Sequence, residues 1–259
     1  MAEFLKQTKE PLFPKILWNQ PVNKRTAKRL LIIGGQAKQF GHTQDTYRAA
    51  LEAGIGTAKV VLPDAIQVYT GELPDGLFVT STKVGSMAKP ALAEIKVFAA
   101  ESDGLLLAGE LSKNSETLSL IESLLDEITL PTVITEEVIN SLLYRPSSLF
   151  GASGRLLIAS SQAFVKLAEK LKIGIQINSN SSLLNRIDLL MALATLQPSN
   201  FVALGPEIII AGKNQISVTP VSNIDPVRTA AFLATYWLQH SDSFQALTTG
   251  AYAMVHGIN

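Results

Sequence analysis

Three segments of the sequence combine residue types that could do chemistry, and each follows a predicted buried strand. The first, IIGGQAKQFG at 32–41, has Gly34 and Gly35 at the end of the strand and Gly41 before a helix. Glycines let a backbone turn tightly and approach a ligand, and the N-terminus of a following helix favours an anion. The spacing matches neither G-x-G-x-x-G nor a P-loop. A plain strand-to-helix turn is therefore the favoured alternative.

The second segment, TEEVIN at 135–140, places two acids directly after a predicted strand. Glu136 and Glu137 could hold a metal ion or act as a general base. They could equally be first-turn acids that stabilise a helix dipole, and this is the favoured alternative because acids are common at helix starts.

The third segment is VSNIDPVRTAAF at 221–232. Asp225 followed by Pro226 is typical of a helix N-cap with proline at the first helical position. The start of this helix could receive a phosphate, with Arg228 nearby. An ordinary cap is again the favoured alternative.

The composition excludes several classes of site and partner. The sequence has no cysteine, which excludes disulfides, thiolate metal sites and a cysteine nucleophile. His42, His240 and His256 are scattered without zinc spacing, and no G-x-S-x-G marks a hydrolase nucleophile. Lys plus Arg and Asp plus Glu both number 22, so the formal net charge is +0. Nothing in that balance favours nucleic acid or an anionic membrane as a partner.

The surface and the location follow from the same composition. The 259 residues are 47% hydrophobic and only 17% charged, which predicts contacts with other subunits and hence a homo-oligomer. The start, MAEFLKQTKEPLFPK, is charged and broken by prolines, unlike a secretory signal. The longest nearly apolar stretch, around 230–238, falls short of the roughly 20 residues that span a bilayer. We therefore expect a cytoplasmic protein.

Short apolar runs alternate with amphipathic segments along the chain. The runs are typical of strands buried on both faces. Strands are predicted at 30–33, 58–62, 77–80, 104–108, 131–134, 155–159, 173–177, 201–204, 207–211 and 215–218, and helices at 43–52, 90–99, 115–125, 136–143, 162–171, 183–196, 226–239 and 243–256. This alternation predicts an α/β fold, a three-layer α/β/α sandwich around a mostly parallel central sheet.

The N-terminal segment has a different character. Over residues 1–28, Pro11, Pro14 and Pro21 are expected to interrupt any helix or strand. We therefore predict an N-terminal arm, 1–28, followed by a single α/β domain over 29–259.

The segment KRLLIIGGQAKQFGHTQDTYRAALEAGIGTAKVVLPD at 28–64 carries a family resemblance. It resembles the first strand, glycine turn, helix and second strand of the ADP- or ATP-dependent NAD(P)H-hydrate dehydratases, which are members of the ribokinase-like superfamily. The glycines that fall in register are Gly34, Gly35, Gly41, Gly54 and Gly56. The resemblance extends from about residue 24 to the end and implies a ribokinase-like sandwich.

Two later segments are similar to the same family. PTVITEEVINSLL at 131–143 resembles the strand and helix with D-A-D-A-L-N; Asn140 matches, and Glu137 stands where the second Asp would be. SFQALTTGAYAMVHG at 243–257 resembles the last helix, with Gly250 and His256 in register.

The sequence departs from the family where the chemistry is expected. G-P-G-L-G appears as AGELS at 108–112, T-P-H-x-x-E as ASSQAF at 159–164, and the Lys-Gly before the late hairpin as Leu204-Gly205. G-T-G-D, which builds the anion hole and supplies the acid/base, appears as IDPV at 224–227. Val227 then stands at the position of the catalytic Asp. Asp225 could replace it only if the turn is rebuilt.

The resemblance also implies a set of ligands and roles. These are ADP or ATP with Mg²⁺ as cofactor, Asp225 as a rebuilt catalytic base, no metal-ligating side chain, and a nucleotide- or substrate-binding set of Gly34, Gly35, Gly41, Glu137, Asn140, Gly205 and Arg228. The activity implied is the nucleotide-dependent repair of hydrated NAD(P)H, in which phosphorylation turns a hydroxyl into a leaving group.

Four functions remain open, in decreasing order. The first is a divergent NAD(P)H-hydrate dehydratase, a metabolite-repair lyase. The second is a catalytically inactive ribokinase-like protein that binds a nucleotide or another small molecule, or serves in subunit assembly. The third, a small-molecule kinase, lacks the same Asp. The fourth, a NAD-dependent Rossmann dehydrogenase, lacks the glycine fingerprint.

Overall fold

The apolar runs of the sequence become the strands of one ten-stranded sheet. The structure, a computed structural model, describes residues 3–71, 73–150, 154–174 and 182–258. The strands are β1 (Glu3–Lys6), β2 (Arg29–Gly34), β3 (Thr57–Pro63), β4 (Gly76–Val79), β5 (Gly104–Gly109), β6 (Thr132–Thr135), β7 (Arg155–Ser160), β8 (Asn200–Leu204), β9 (Glu207–Gly212) and β10 (Gln215–Pro220).

The amphipathic segments become helices. They are α1 (Pro14–Trp18), α2 (Gly41–Glu52), α3 (Gln67–Thr70), α4 (Ala91–Ala100), α5 (Ser115–Glu127), α6 (Glu136–Ser141), α7 (Ser161–Lys170), α8 (Leu183–Leu196), α9 (Pro226–Gln239) and α10 (Ser243–His256). Two short 3₁₀ helices lie at Asp64–Ile66 and Pro146–Leu149.

The sheet is mostly parallel, as predicted. Its strand order is β1-β10-β9-β8-β7-β6-β5-β2-β3-β4. Among the described strands only β9 runs against the rest, since it pairs antiparallel with both β8 and β10. The chain moves outward from β2 through β3 to β4 and then returns to the other side of β2 at β5. Order reversals of this kind leave a crevice at the carboxyl ends of the strands.

Side chains of successive strand residues enter two different cores. Leu31 and Ile33 of β2 join the core beneath α4 to α8, whereas Leu30 and Ile32 join the core beneath α1, α2, α9 and α10. The strands β5 to β8 alternate in the same way. Burial on both faces explains the continuous apolar runs, and the predicted α/β/α sandwich is confirmed.

The N-terminal segment contributes one strand and one short helix. β1 forms before the first proline and pairs in parallel with β10, from Glu3 opposite Gln215 to Lys6 opposite Val218. Pro14 opens α1 at its first position, where a missing N–H breaks no helical hydrogen bond. Neither element has a proline in its interior, although the segment contains more regular structure than the sequence led us to expect.

Two further predictions concern a strand at 173–177 and membrane-spanning helices. The strand predicted at 173–177 lies largely outside the described residues. In the described part of the chain, no helix combines the length and apolarity needed to cross a membrane.

Candidate functional site

A cavity of about 440 Å³ lies at the carboxyl ends of the central strands. Its wall includes Ala108, Ile158 and Leu204 from β5, β7 and β8, and its rim comes from the first turns of α2, α6 and α9. The full lining is His42, Thr46, Ala108, Lys113, Thr135, Glu136, Glu137, Asn140, Ile158, Leu204, Pro226, Val227 and Ala230. This is the place where open α/β sheets bind ligands.

Four other depressions lie away from the predicted residues. One of about 500 Å³ lies between the 194–200 segment and the turn at Lys213 and Asn214, at the opposite end of the strands. Those of about 220 and 480 Å³ adjoin the loop before β4, and one of about 270 Å³ lies at the start of β2 and β3. None contains a residue that the sequence singled out, so we take the cavity at the carboxyl ends of the strands as the candidate site.

The sequence-predicted residues divide between the cavity and its surroundings. Glu137 and Asn140 line the cavity. Asp225 and Arg228 are not among its lining residues, although their neighbours Pro226 and Val227 are. The predicted glycines also stand outside the lining: Gly34 ends β2, Gly35 follows it, Gly41 begins α2, and Gly205 follows β8.

Asp225 caps helix α9. Its side-chain Oδ1 accepts hydrogen bonds from the backbone N–H groups of Val227 and Arg228, at 3.0 Å each. Pro226, at the first helical position, has no N–H to offer. The amide donors at the start of α9 are therefore taken up by a carboxylate of the chain itself.

Arg228 is engaged away from the cavity. Its guanidinium pairs with both carboxylate oxygens of Glu52 at the end of α2, with 2.5 Å from Nη2 to Oε1. The guanidinium carbon also lies 4.7 Å from the ring centroid of Phe232. Hydrogen bonding to Arg228 lowers the pKa of Glu52 below its usual range. The sequence predicted Arg228 beside a bound phosphate, but its guanidinium instead joins α9 to α2.

Three carboxylates connect the ends of neighbouring strands. Glu137 Oε2 accepts the backbone N–H of Glu110 at 2.7 Å, and Glu136 Oε2 accepts that of Ser160 at 2.7 Å. Glu110 Oε2 in turn accepts the N–H of His42 in the first turn of α2, at 2.9 Å. Glu136 and Glu137 are in the first turn of α6, but they accept hydrogen bonds from the ends of neighbouring strands rather than from their own helix.

The turn after β5 is tight enough to bring these groups together. Gly109 has φ of 98° and Glu110 has φ of 55°, both in the left-handed region. A Cβ at Gly109 would lie 2.9 Å from Glu137 Oε2 and would be strained at this positive φ, so a larger residue would displace that carboxylate from its hydrogen bond to Glu110. Left-handed backbone at a non-glycine residue costs roughly 1–2 kcal/mol, which the two carboxylate hydrogen bonds around Glu110 help to offset.

The glycine turn after β2 is built for close packing. A Cβ on Gly34 would lie 2.6 Å from Thr43 Oγ1 and 2.7 Å from the Gly109 carbonyl oxygen. Gly35 has φ of 83°, and its N–H donates to that same carbonyl at 3.1 Å. These contacts hold the end of β2 against the end of β5 and account for both glycines without a ligand.

Sequence reasoning missed several groups at this site. Lys113 lines the cavity and Glu110 supports it, and both follow the predicted strand 104–108, so the rule that was applied to the other strand ends would have found them. His42 was considered only for zinc, yet His42 and Thr46 are four residues apart on the cavity side of α2. Among the described residues, no group of three or more His, Cys, Asp or Glu is placed to hold a metal ion.

Comparison with known proteins agrees with this architecture. No protein-family model matches the sequence. A ribokinase-like superfamily protein from Enterococcus faecalis has a similar structure, with a TM-score of 0.75, 14% identity, and coverage of 98% of this chain and 86% of that one. The chain has a ribokinase-like fold.

Two further proteins that are similar to this chain are described as an NAD(P)H-hydrate dehydratase and an NAD(P)H-hydrate repair enzyme. The ADP/ATP-dependent NAD(P)H-hydrate dehydratase from Bacillus subtilis, co-crystallised with ATP/Mg²⁺, has a TM-score of 0.65 at 13% identity, covering 96% of this chain and 89% of that one. A bifunctional NAD(P)H-hydrate repair enzyme from Moorella thermoacetica is 27% identical over 139 residues. That match spans 50% of this chain but only 25% of the enzyme.

Proposed function

We propose that this chain is a ribokinase-like small-molecule-binding protein that has lost nucleotide-dependent catalysis. The observation that carries the proposal is the double hydrogen bond from Val227 and Arg228 to the Asp225 carboxylate. The similarity to NAD(P)H-hydrate repair enzymes supports an origin among them, and a divergent dehydratase is the competing proposal.

The donor set at the start of α9 does not fit a nucleotide phosphate. Phosphoryl transfer relies on backbone N–H groups and cations aimed at the developing negative charge. Here the two N–H groups are already bonded, Pro226 supplies none, and the Asp225 carboxylate would repel an incoming phosphate. Arg228, the nearest cation of α9, is held by Glu52.

The catalytic base of the competing proposal has no support from its position. Asp225 is exposed and is not among the residues that line the cavity. Val227, which does line it, has no group that can take a proton. The loss of a general base alone costs about 10² to 10⁴-fold in rate.

Titration calorimetry with ADP and ATP, each with and without Mg²⁺, tests this proposal. We expect no binding at millimolar nucleotide and no turnover of hydrated NADH. Micromolar binding of ATP together with ATP-dependent dehydration, lost in Asp225→Asn, would establish the competing proposal instead.

A rebuilt turn provides the matched positive experiment. The fourfold variant Ile224→Gly, Asp225→Thr, Pro226→Gly and Val227→Asp restores a glycine turn with free N–H groups and an acid inside the cavity wall. We expect this variant to bind ADP at least about tenfold more tightly than the native chain, since a single charge-assisted hydrogen bond is worth roughly 1.5–3 kcal/mol. Equal affinities would show that the α9 cap is not what excludes nucleotide.

A further inference from the structure

The outer edge of β4 is open. β4 ends the sheet and pairs only with β3 among the described strands. The N–H of Val60 in β3 donates to the Asp75 carbonyl at 2.9 Å, and this bond fixes which backbone groups of β4 face β3. Successive residues of a strand direct their backbone groups to alternate sides, so the N–H and C=O of Leu77 face β3. Those of Phe78 face outward.

Phe78 is the residue of β4 whose outward N–H and C=O both stay free in the described part of the chain. Thr80 also faces outward, but its N–H donates to Glu94 Oε2 at 2.8 Å and its carbonyl accepts the Ala88 N–H at 3.0 Å. The outward N–H of Gly76 bonds back to the preceding turn at 3.0 Å. The depression of about 480 Å³ is lined in part by Gly76 and Phe78, so a partner can reach this edge.

β4 lacks the features that protect edge strands. Proteins guard such edges with charged residues and prolines, whereas residues 76–82, GLFVTST, contain neither. Asp75, directly before β4, is held by the Tyr47 hydroxyl. The opposite edge of the sheet differs, because β1 carries the exposed Lys6 and leads to the exposed Lys9. Of the two edges, the one at β4 therefore favours pairing with another strand.

Exposed apolar side chains concentrate around β4. Of the twelve large apolar side chains that are exposed among the described residues, four lie between positions 68 and 97. They are Val68, Tyr69, Val84 and Val97. Val97 is 64% exposed on α4, a helix in which eight of ten residues are apolar and whose Ala93 and Ala100 are exposed as well. Apolar surface of this kind marks an interaction site, and a helix with apolar residues on several sides is normally covered.

We infer that a second copy of this chain binds at the β4 edge, with the two β4 strands antiparallel about a twofold axis at Phe78. Each Phe78 then donates its N–H to the carbonyl of the other and accepts one in return, as in the hydrogen-bonded pairs of antiparallel sheets. A twofold axis requires a surface that is complementary to itself, and Phe78 meets this requirement with one donor and one acceptor. The inference goes beyond the proposed function and depends on no ligand.

Apolar side chains provide most of the affinity of this dimer. β4 has only four residues, and the pairing adds two backbone hydrogen bonds. α4 packs on the same core as Val79 of β4, so the axis brings α4 of each copy towards the other. Val97 and its exposed neighbours then lose contact with water, and burial of apolar surface stabilises the association. Because the pair uses both β4 edges, the assembly closes as a dimer.

Sedimentation equilibrium tests the dimer and its surface. We expect the native chain to be a dimer at micromolar concentration. Val97→Lys should raise the dissociation constant about tenfold or more, because it buries a charge without a partner, and its exposed position preserves the fold. Leu184→Lys, at 69% exposure on α8, is the control and should dimerise like the native chain. A monomeric native chain, or equal dissociation constants for Val97→Lys and the native chain, would overturn the inference.

The absence of native cysteine allows the axis to be located. In Phe78→Cys the two thiols meet at the axis, since residues of a hydrogen-bonded pair have Cα atoms about 5.5 Å apart, within the range of a disulfide. We expect mild oxidation to give a covalent dimer on non-reducing gels. Phe4→Cys, at an exposed position of β1, is the control and should remain uncrosslinked.

Circular dichroism separates a misfolded variant from a misplaced axis. A folded Phe78→Cys variant that fails to crosslink, or that crosslinks no more than Phe4→Cys, would also overturn the inference. If Phe78→Cys does not fold, the comparison of Val97→Lys with Leu184→Lys decides the matter, because both positions are exposed.

Discussion

At the scale of single residues, Asp225 caps helix α9. Its Oδ1 accepts two N–H groups at 3.0 Å, and its neighbour Pro226 fixes the first helical residue. The two backbone N–H groups, of Val227 and Arg228, could otherwise bind a ligand, but they are used for a hydrogen bond within the folded protein. At this residue, stability and ligand binding compete for the same hydrogen bonds.

The Asp225 cap should contribute measurably to the free energy of unfolding. Asp225→Ala should lower the free energy of unfolding by about 1 kcal/mol, because two N–H groups at the start of α9 lose their acceptor. Asp225→Asn keeps an oxygen and should lose much less. Urea unfolding of the three proteins measures the difference, and equal losses in both variants would argue against a capping role.

At the scale of elements, α2 and α9 are joined by the pair of Glu52 and Arg228. Their side chains are 37% and 30% exposed, and Phe232 stacks against the guanidinium. Since both helices contribute lining residues to the cavity, this pair helps to set the width between them.

A double-mutant cycle with Glu52→Gln and Arg228→Gln measures that pair. We expect a coupling free energy of up to about 1 kcal/mol at pH 7, since the pair is partly exposed and screened. The pKa of Glu52 is lowered in the folded state, so the coupling is fully present above the ordinary Glu value of about 4.3 and fades as pH falls through the lowered pKa.

The exposed pair of Asp45 and Arg48, at 61% and 75% side-chain exposure, is the control and should couple more weakly. A Glu52–Arg228 coupling that is unchanged at pH 3 would contradict the assigned electrostatic origin.

The elements were largely predictable from the sequence. Runs such as 104–108, which became β5, are apolar at every position because both faces of the strand are buried, and α8 and α9 have the predicted bounds. The arm was not predictable, because β1 depends on β10, which lies about 210 residues later in the chain. No local pattern reports a partner at that separation.

The candidate site was predictable only in part. Glu137 was found because it closely follows a predicted strand, and Asn140 because it matches the D-A-D-A-L-N segment of the family that the sequence resembles. The ion pair between Arg228 and Glu52 was not predicted, because the two residues are 176 positions apart in the sequence. The homo-oligomer and the cytoplasmic location stay predictions.

At the scale of the whole molecule, the sheet ends on two short strands. β1 and β4 each have four residues, and β1 covers the longer, mostly buried β10. Short edge strands limit pairing with other chains, because they offer few free N–H and C=O groups.

Removal of residues 1–7 should therefore cause self-association. The deletion uncovers the backbone of β10 and also removes the bond from Gln7 N–H to the Val218 carbonyl, at 2.8 Å. We expect a lower unfolding midpoint and concentration-dependent growth in mass by light scattering. Leu5→Ala, which keeps the β1 backbone, should keep the mass of the native chain; growth in that variant as well would point to lost packing instead of an open edge.

Under the proposed function, the Asp225 cap separates the stability of the molecule from the supply of nucleotide. A ligand that binds only the native state stabilises a protein by mass action, so the stability of a nucleotide-binding relative rises and falls with nucleotide concentration. Asp225 belongs to the chain and occupies the donors of Val227 and Arg228 without any dissociation into solvent. Under the proposed function, the folded fraction of this protein is therefore expected not to change with the concentration of ATP.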